Sequence, residues 1–336
     1  MKYTDEQLDK AIENDIFTAE QVNEFRLSVQ NSDKKATKYE KTLYYVGALL
    51  IMSAMTWLMF DVWDRFDAAG LVVMSSVYFV AFLVAGYYVF FVKKLETAGG
   101  LLFTVSIAVT PLFVYSVMEL MDIWHWGVFN GIFAWRQVRW MIIQVSTVLV
   151  ALVILKKVKF PFHVLPISVA LFFFSMSLGY ELRGTWEQQT FIFRTFGICM
   201  IAVGYFTDLK FKKDYSFWLY LFGAMTLLIG LSGFSNNDIF GFIRLGFASV
   251  IMILFSLFIN RNVILVFGGL GIIILLGRLA SLLFDYTIFF ILTLTVIGVS
   301  LIVAGIFLQK NRKYIEENIV SNLPETLLKL RPKIKA

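Results

Sequence analysis

The long apolar segments of this chain carry a group of charged side chains at the ends that share one side. These side chains are the best candidates for binding a ligand. Arginine binds oxyanions through paired N–H groups, and carboxylates accept hydrogen bonds from cationic or donor-bearing groups. The candidates all lie at the predicted outward ends: Asp61, Asp64, Arg65, Glu119, Asp122, His125, Arg136, Arg139, Glu181, Arg183, Arg244, Arg278 and Asp285. Two interpretations stay open. One is an outward-facing pocket for an anionic or lipid-like ligand, and the other is ordinary loop charges with interfacial anchors.

Seven of the eight tryptophans lie at or near the same ends, whereas aromatic belts normally flank both membrane interfaces. Arg244 and Arg278 favour the ligand interpretation most, since an arginine near membrane depth is costly unless it is paired or faces a polar cavity. Asp285 follows Arg278 by two helical turns and is its predicted partner. Snorkelling of Arg278 to the interface is the alternative. The segment Asp122–Arg139 is predicted to form an interfacial or re-entrant helix.

The elements that must position these residues are ten apolar segments, and each is long enough to cross a bilayer. Mean hydropathy is +0.74, and 16% of the residues are charged, against about 25% in a soluble domain. Each segment is predicted to be helical, because unpaired backbone groups are costly in hydrocarbon. The segments are Leu43–Phe60, Ala68–Val92, Ala98–Met118, Trp140–Leu155, Val164–Tyr180, Phe191–Thr207, Ser216–Leu231, Phe242–Ile259, Val263–Phe284 and Thr287–Leu308.

The basic residues predict the orientation of these segments. Of the 30 lysines and arginines, 23 fall in the compartment that holds both termini, and this set includes every lysine. The remaining seven are all arginine. By the positive-inside rule both termini are cytoplasmic.

Three regions follow from this pattern. Residues 1–42 are predicted to form a small cytoplasmic helical hairpin, in which Thr18 and Gln21 make a capping box. Residues 43–308 form a ten-helix transmembrane domain. Residues 309–336 form a basic amphipathic tail that lies on the inner leaflet or docks on a partner.

The motifs of common enzyme mechanisms are absent from the sequence. It has no HExxH, GxSxG or Walker lysine motif, and it has two histidines and the single Cys199, so no catalytic residue, metal site or cofactor is predicted. The glycines at 268, 269 and 271 lie within an apolar segment, so they are expected to support close helix packing rather than nucleotide binding. The expected partners are the lipid bilayer and a protein at the hairpin, and no nucleic acid. The oligomeric state is left open.

Several stretches of the sequence resemble one bacterial membrane family, domain of unknown function 2157. They are residues 8–21, Val46–Leu50, Phe60–Asp64, 159–162 with Pro166, 175–177, 217–223, 266–271 and Leu323-Pro324. Val62 stands where the family pattern has asparagine. The resemblance covers nearly the whole chain and implies a bacterial inner-membrane protein, and the family brings no established activity.

The expected fold is all-α, a polytopic membrane bundle of about ten transmembrane helices with the N-terminal hairpin. The expected function is non-enzymatic: a transporter or permease-like protein for a small or lipid-like solute. A scaffold or accessory subunit of an envelope complex is the alternative, and an intramembrane transferase using His125 or an aspartate is a third. A polar cavity reaching the midplane would favour transport, and a solid apolar interior would favour a scaffold.

Overall fold

The computed structural model describes residues 38–61, 67–123, 135–181, 185–211, 213–233 and 238–283, with isolated positions near the termini (12, 14, 17–18, 20–22, 24, 291–292, 295, 298–299 and 303). These residues form helices and no strand. The α-helices are α1 Lys38–Asp61, α2 Ala68–Tyr87, α3 Glu96–Leu120, α4 Trp135–Lys157, α5 Val164–Glu181, α6 Trp186–Lys210, α7 Phe217–Ser232, α8 Ile239–Ile259 and α9 Asn262–Leu283. A π-helical turn, Tyr88–Val92, extends α2, and a 3-10 turn, Pro161–His163, precedes α5.

The predicted all-α class is confirmed for the described residues. Seven of their helices are long and apolar enough to cross a membrane, and α7, with 16 residues, is shorter. The tenth predicted segment, Thr287–Leu308, lies almost entirely outside the described residues. The bundle is thus compatible with an integral membrane protein, and the count of ten remains a prediction.

One capping box near the N-terminus is confirmed. The Thr18 backbone N–H donates to Gln21 Oε1 at 3.1 Å, and the Gln21 N–H donates to Thr18 Oγ1 at 3.3 Å. This reciprocal pair satisfies two backbone donors at a helix start. Most of the predicted hairpin lies outside the described residues, so the hairpin itself stays a prediction.

The described lysines share one end of the bundle, which we call the lysine-rich end and define by Lys93, Lys156 and Lys210. The connections meet there, since Lys213 Nζ donates to the carbonyl of Lys159 at 3.3 Å. The opposite end, at Asp67, Leu120 and Trp186, is called the lysine-free end. Successive helices therefore cross the bundle in opposite directions, as the division of basic residues predicts.

The outward faces of the peripheral helices are apolar. On α2, the side chains of Val73, Val77, Val80 and Val84 are all exposed and recur every three or four residues. This spacing places them on one helix face. Soluble proteins rarely expose apolar patches of this extent, so hydrocarbon is the natural neighbour of this stripe.

Close helix packing depends on glycines with no room for a side chain. A Cβ on Gly197 of α6 would lie 2.5 Å from the backbone nitrogen of Leu227 on α7. A Cβ on Gly268 of α9 would lie 2.9 Å from the Ile253 side chain, and one on Gly271 would collide with Ser249. The packing role expected for these two α9 glycines is confirmed. Gly269 has nothing within 4 Å of its Cβ position, so the role does not extend to it.

Candidate functional site

The structure places six of the predicted site residues with their side chains. Glu119, Arg139 and Glu181 lie at the lysine-free ends of α3, α4 and α5, Asp122 is exposed in the turn after α3, and Arg244 and Arg278 lie on α8 and α9. Asp61 and Arg136 belong to helices, but their side chains lie outside the described part. Asp64, Arg65, His125, Arg183 and Asp285 lie outside the described residues, so the predicted Arg278–Asp285 pair is untested.

Polar side chains meet within the lysine-free half of the bundle, between α4 and α5. Gln144 Nε2 donates to Ser177 Oγ at 3.2 Å, and both side chains are buried. Glu181 lies one turn beyond Ser177 on the same face of α5 and is fully buried. Glu181 has an interaction partner, as do Glu119 and Arg139. We call Gln144, Ser177 and Glu181 the amide cluster.

Half of the Gln144 amide lacks a hydrogen-bond partner. Its Oε1 atom is buried and accepts no hydrogen bond among the described residues, although the residue is only 8% exposed. Exchanging the amide oxygen and nitrogen would let Ser177 donate to the oxygen, but it would leave the NH₂ group without an acceptor. An unmade hydrogen bond of this kind costs about 1–3 kcal/mol. Gln144 Oε1 is therefore an unused hydrogen-bond acceptor within the amide cluster.

The neighbouring helix α3 adds a second polar pair in the same half. The buried Tyr115 makes a side-chain hydrogen bond to Glu119, one turn further along α3. Tyr115 also packs in one apolar cluster with Ile143 and Trp140 of α4. The helix that carries Gln144 is thus in direct contact with the helix that carries this tyrosine and carboxylate.

A separate ionic group lies at the lysine-rich end, and we call it the Arg261 clasp: Arg261, Asp208, Asp214 and Ser216. Arg261 Nε and Nη2 donate to the two Asp208 oxygens at 3.0 and 2.7 Å, and Nη1 donates to Asp214 at 2.9 Å. Ser216 Oγ lies 2.5 Å from Asp208 Oδ1. The guanidinium carbon also stands 6.0 Å from the centre of the Tyr220 ring. The clasp ties the ends of α6 and α7 to the α8–α9 turn.

The local sequence explains why Arg261 reaches these carboxylates. Only Asn260 and Arg261 separate α8 from α9, and Asn260 adopts the left-handed conformation (φ 55°, ψ 46°) that asparagine tolerates at a helix end. Ser256 Oγ then donates to the Arg261 carbonyl at 2.8 Å. This tight turn fixes the backbone of Arg261 opposite α6 and α7.

The opposite charges of the Arg261 clasp stabilise one another. Burial alone would lower the pKa of the Arg261 guanidinium, but its hydrogen bonds to Asp214 and Asp208 and their negative charges outweigh burial and raise this pKa. The Asp208 side chain is completely buried, whereas that of Asp214 is 43% exposed. Asp208 therefore depends on Arg261 for its neutralisation far more than Asp214 does.

Sequence reasoning missed the Arg261 clasp and the amide cluster. In the sequence, Arg261 is only one of the 23 basic residues on the side of the termini, and Asp208 and Asp214 lie in the connection between α6 and α7. Their signal is two acids in a connection that is otherwise basic. For the amide cluster the signal is a glutamine within an apolar segment, because a primary amide in hydrocarbon needs a partner.

No group of three or more His, Cys, Asp or Glu side chains is placed to hold a metal ion within the ranges that the structure describes. Comparison with protein-family models, with curated proteins and with solved structures finds no match to this chain. The resemblance to domain of unknown function 2157 consequently rests on the sequence stretches alone and stays a prediction.

Proposed function

We propose that this chain is a permease-like membrane transporter that binds a small or lipid-like solute at the amide cluster. The observation that carries the proposal is the buried Gln144 amide, which donates to Ser177, one helical turn from the buried Glu181, while its own oxygen has no hydrogen-bond donor. A solute with a hydroxyl or amino group supplies the missing donor.

Energetics support a binding role over a packing role for these residues. Helices in membranes pack well through small residues, as Gly197 and Gly268 do here. Apolar side chains of similar volume commonly stabilise a buried site as well as polar ones do. Packing alone therefore does not account for a buried carboxylate one helical turn from the hydrogen-bonding partner of this amide, and ionisable residues inside membrane bundles generally mark solute or ion pathways.

Access of water to the amide cluster distinguishes a transporter from a scaffold. In a Cys199→Ser background, which removes the one exposed native thiol, Ser177→Cys is treated in membrane vesicles with a small cationic methanethiosulfonate reagent. We expect Ser177→Cys to be modified, as measured by the mass of the intact protein. Small polar solutes added at millimolar concentration are then screened for those that slow the reaction.

The matched control is Ser175→Cys, two residues earlier on the same helix. Ser175 is also buried, but its hydroxyl donates to the Phe172 carbonyl at 2.7 Å, and its side chain points away from the Gln144 side of α5. We expect its modification to be at least tenfold slower. Equal, very slow modification of both cysteines would indicate a dry interior and favour the scaffold.

A further inference from the structure

Two arginines lie well inside the lysine-free ends of their helices. Arg194 is eight residues after the first residue of α6, and Arg244 is five residues after the first residue of α8. At 1.5 Å per residue they lie about 12 and 8 Å from those helix starts. Both are partly buried. The headgroup region of a bilayer is about 5–8 Å thick on each side of the hydrocarbon core, so Arg244 lies at about its inner boundary and Arg194 lies deeper.

Among the residues that the structure describes, little compensates the positive charges of this pair. Arg194 Nε donates to the Thr190 carbonyl at 3.2 Å, an uncharged acceptor of its own helix. The Asp238 oxygen nearest to Arg244 is 3.9 Å from Nη2, and Asp238 already caps α8 by accepting from the Gly241 N–H at 2.9 Å. Arg244 Nε is buried and has no hydrogen-bond partner among the described residues.

The two arginines flank the same end of α7, because Gly230 meets the Arg194 backbone and the next residue, Leu231, packs in one cluster with Leu245, the neighbour of Arg244. The charge of Arg244 opposes that of Arg194, and the charge of Glu187 favours it. Residues 234–237, which connect α7 to Asp238, include no acid. Two arginines that repel each other inside an apolar bundle raise its free energy unless something negative lies between them.

The packing of α6 on α7 holds Arg194 in this unfavourable place. A Cβ on Gly230 of α7 would lie 2.7 Å from the Arg194 backbone nitrogen and 2.8 Å from the Thr190 carbonyl oxygen. The α6 backbone is therefore fixed against α7 at the level of Arg194. Only the outer part of the arginine side chain is free to adjust to a ligand.

We propose that Arg194 and Arg244 together bind a phosphate group, in the headgroup of an anionic phospholipid or as a free phosphate. Each guanidinium donates two parallel N–H groups to an oxyanion, a geometry that a lysine ammonium lacks. A phosphate between them replaces their repulsion by two attractions and offers an acceptor to Arg244 Nε. The site lies on α6 and α8, so it does not depend on the transport function proposed for α4 and α5.

Thermal unfolding of the full-length protein in mild detergent tests this site. The melting temperature is followed during titration with dioctanoyl phosphatidylglycerol, with inorganic phosphate and with dioctanoyl phosphatidylcholine. We expect saturable stabilisation by phosphatidylglycerol and at least tenfold weaker apparent affinity for phosphatidylcholine, since its choline cation is repelled by the arginines. Saturable stabilisation by phosphate as well would identify a site for free phosphate, whereas its absence would assign the site to lipid headgroups.

Arg194→Gln and Arg244→Gln should each weaken the apparent affinity for phosphatidylglycerol at least tenfold, and Arg244→Lys should restore only part of it. The matched control is Arg139→Gln, at the lysine-free end of α4, which should bind like the wild type. Arg244→Lys keeps the charge and so serves as the folded variant if a glutamine variant is unstable. Unchanged affinity in both arginine variants, an equal loss in Arg139→Gln, or equal affinity for the two lipids would overturn the proposal.

Discussion

The Asp208 carboxylate is the buried charge of the Arg261 clasp, and removal of its partner measures what the clasp contributes. In Arg261→Gln, Asp208 would lose two charge-assisted hydrogen bonds of 3.0 and 2.7 Å and remain fully buried. Removing one member of a buried ion pair costs about 3–5 kcal/mol, because the remaining charge is uncompensated. We expect the free energy of unfolding to fall by this amount.

Asp214 provides an internal comparison within the same group. Its side chain is 43% exposed, so water can replace the contact with Arg261. Ion pairs of this exposure contribute about 0–1 kcal/mol. Asp214→Asn should consequently cost far less than Arg261→Gln. Both variants are measured by reversible unfolding in mixed micelles with increasing SDS, followed by tryptophan fluorescence.

A double substitution distinguishes the destabilisation caused by an uncompensated buried carboxylate from the net contribution of the Arg261 clasp to the free energy of unfolding. Arg261→Leu together with Asp208→Leu removes both charges, and it should be more stable than Arg261→Leu alone by at least about 2 kcal/mol, because the stranded carboxylate is gone. The reasoning is refuted if Arg261→Gln unfolds within about 1 kcal/mol of wild type, or if the double variant is no more stable than Arg261→Leu.

Two further predictions concern topology and packing. A cysteine that replaces Lys157 should react with a membrane-impermeant reagent only from the cytoplasmic side of oriented vesicles. A cysteine that replaces Glu187 should react only from the opposite side. Reaction of the cysteine at position 157 from outside would contradict the predicted orientation of the helices. Gly197→Ala should lower the free energy of unfolding by about 1–3 kcal/mol, because the added methyl group meets the α7 backbone. Gly269 has open space at its Cβ position, so Gly269→Ala should be neutral or slightly stabilising in the same assay. An equal loss of unfolding free energy in both variants would contradict the packing argument.

The sequence predicts helices well and their meeting points poorly, for physical reasons. The predicted segment Ala68–Val92 matches the observed span, because hydrocarbon requires every backbone group to bond within the segment. Asp208 and Arg261 are 53 residues apart, and only the packing of α6 and α7 against the α8–α9 turn brings them together. That packing depends on close contacts such as Gly197 against Leu227, which no periodic pattern specifies.

In the candidate site too, the sequence predicts the position of a residue along its helix but not its contacts with other helices. The presence of Glu181 and Arg244 at the lysine-free end follows from counting along the segments. The hydrogen bond of Gln144 to Ser177 depends on the relative rotation of α4 and α5, and an error of one residue in either helix turns a side chain by about 100°. The sequence could therefore predict which end carries polar residues, but not which of them form the amide cluster.

The short helix α7 has a consequence for biogenesis. Its 16 residues span about 24 Å, less than the roughly 30 Å of hydrocarbon in a bilayer. Inserted alone, it would end with unbonded carbonyl groups inside the lipid, each costing several kcal/mol. Helix α6, with 25 residues, is about 37 Å long and packs along α7 through Gly197 and Gly230. We expect the translocation machinery to release α6 and α7 into the bilayer as one hairpin, with the longer helix shielding the shorter one.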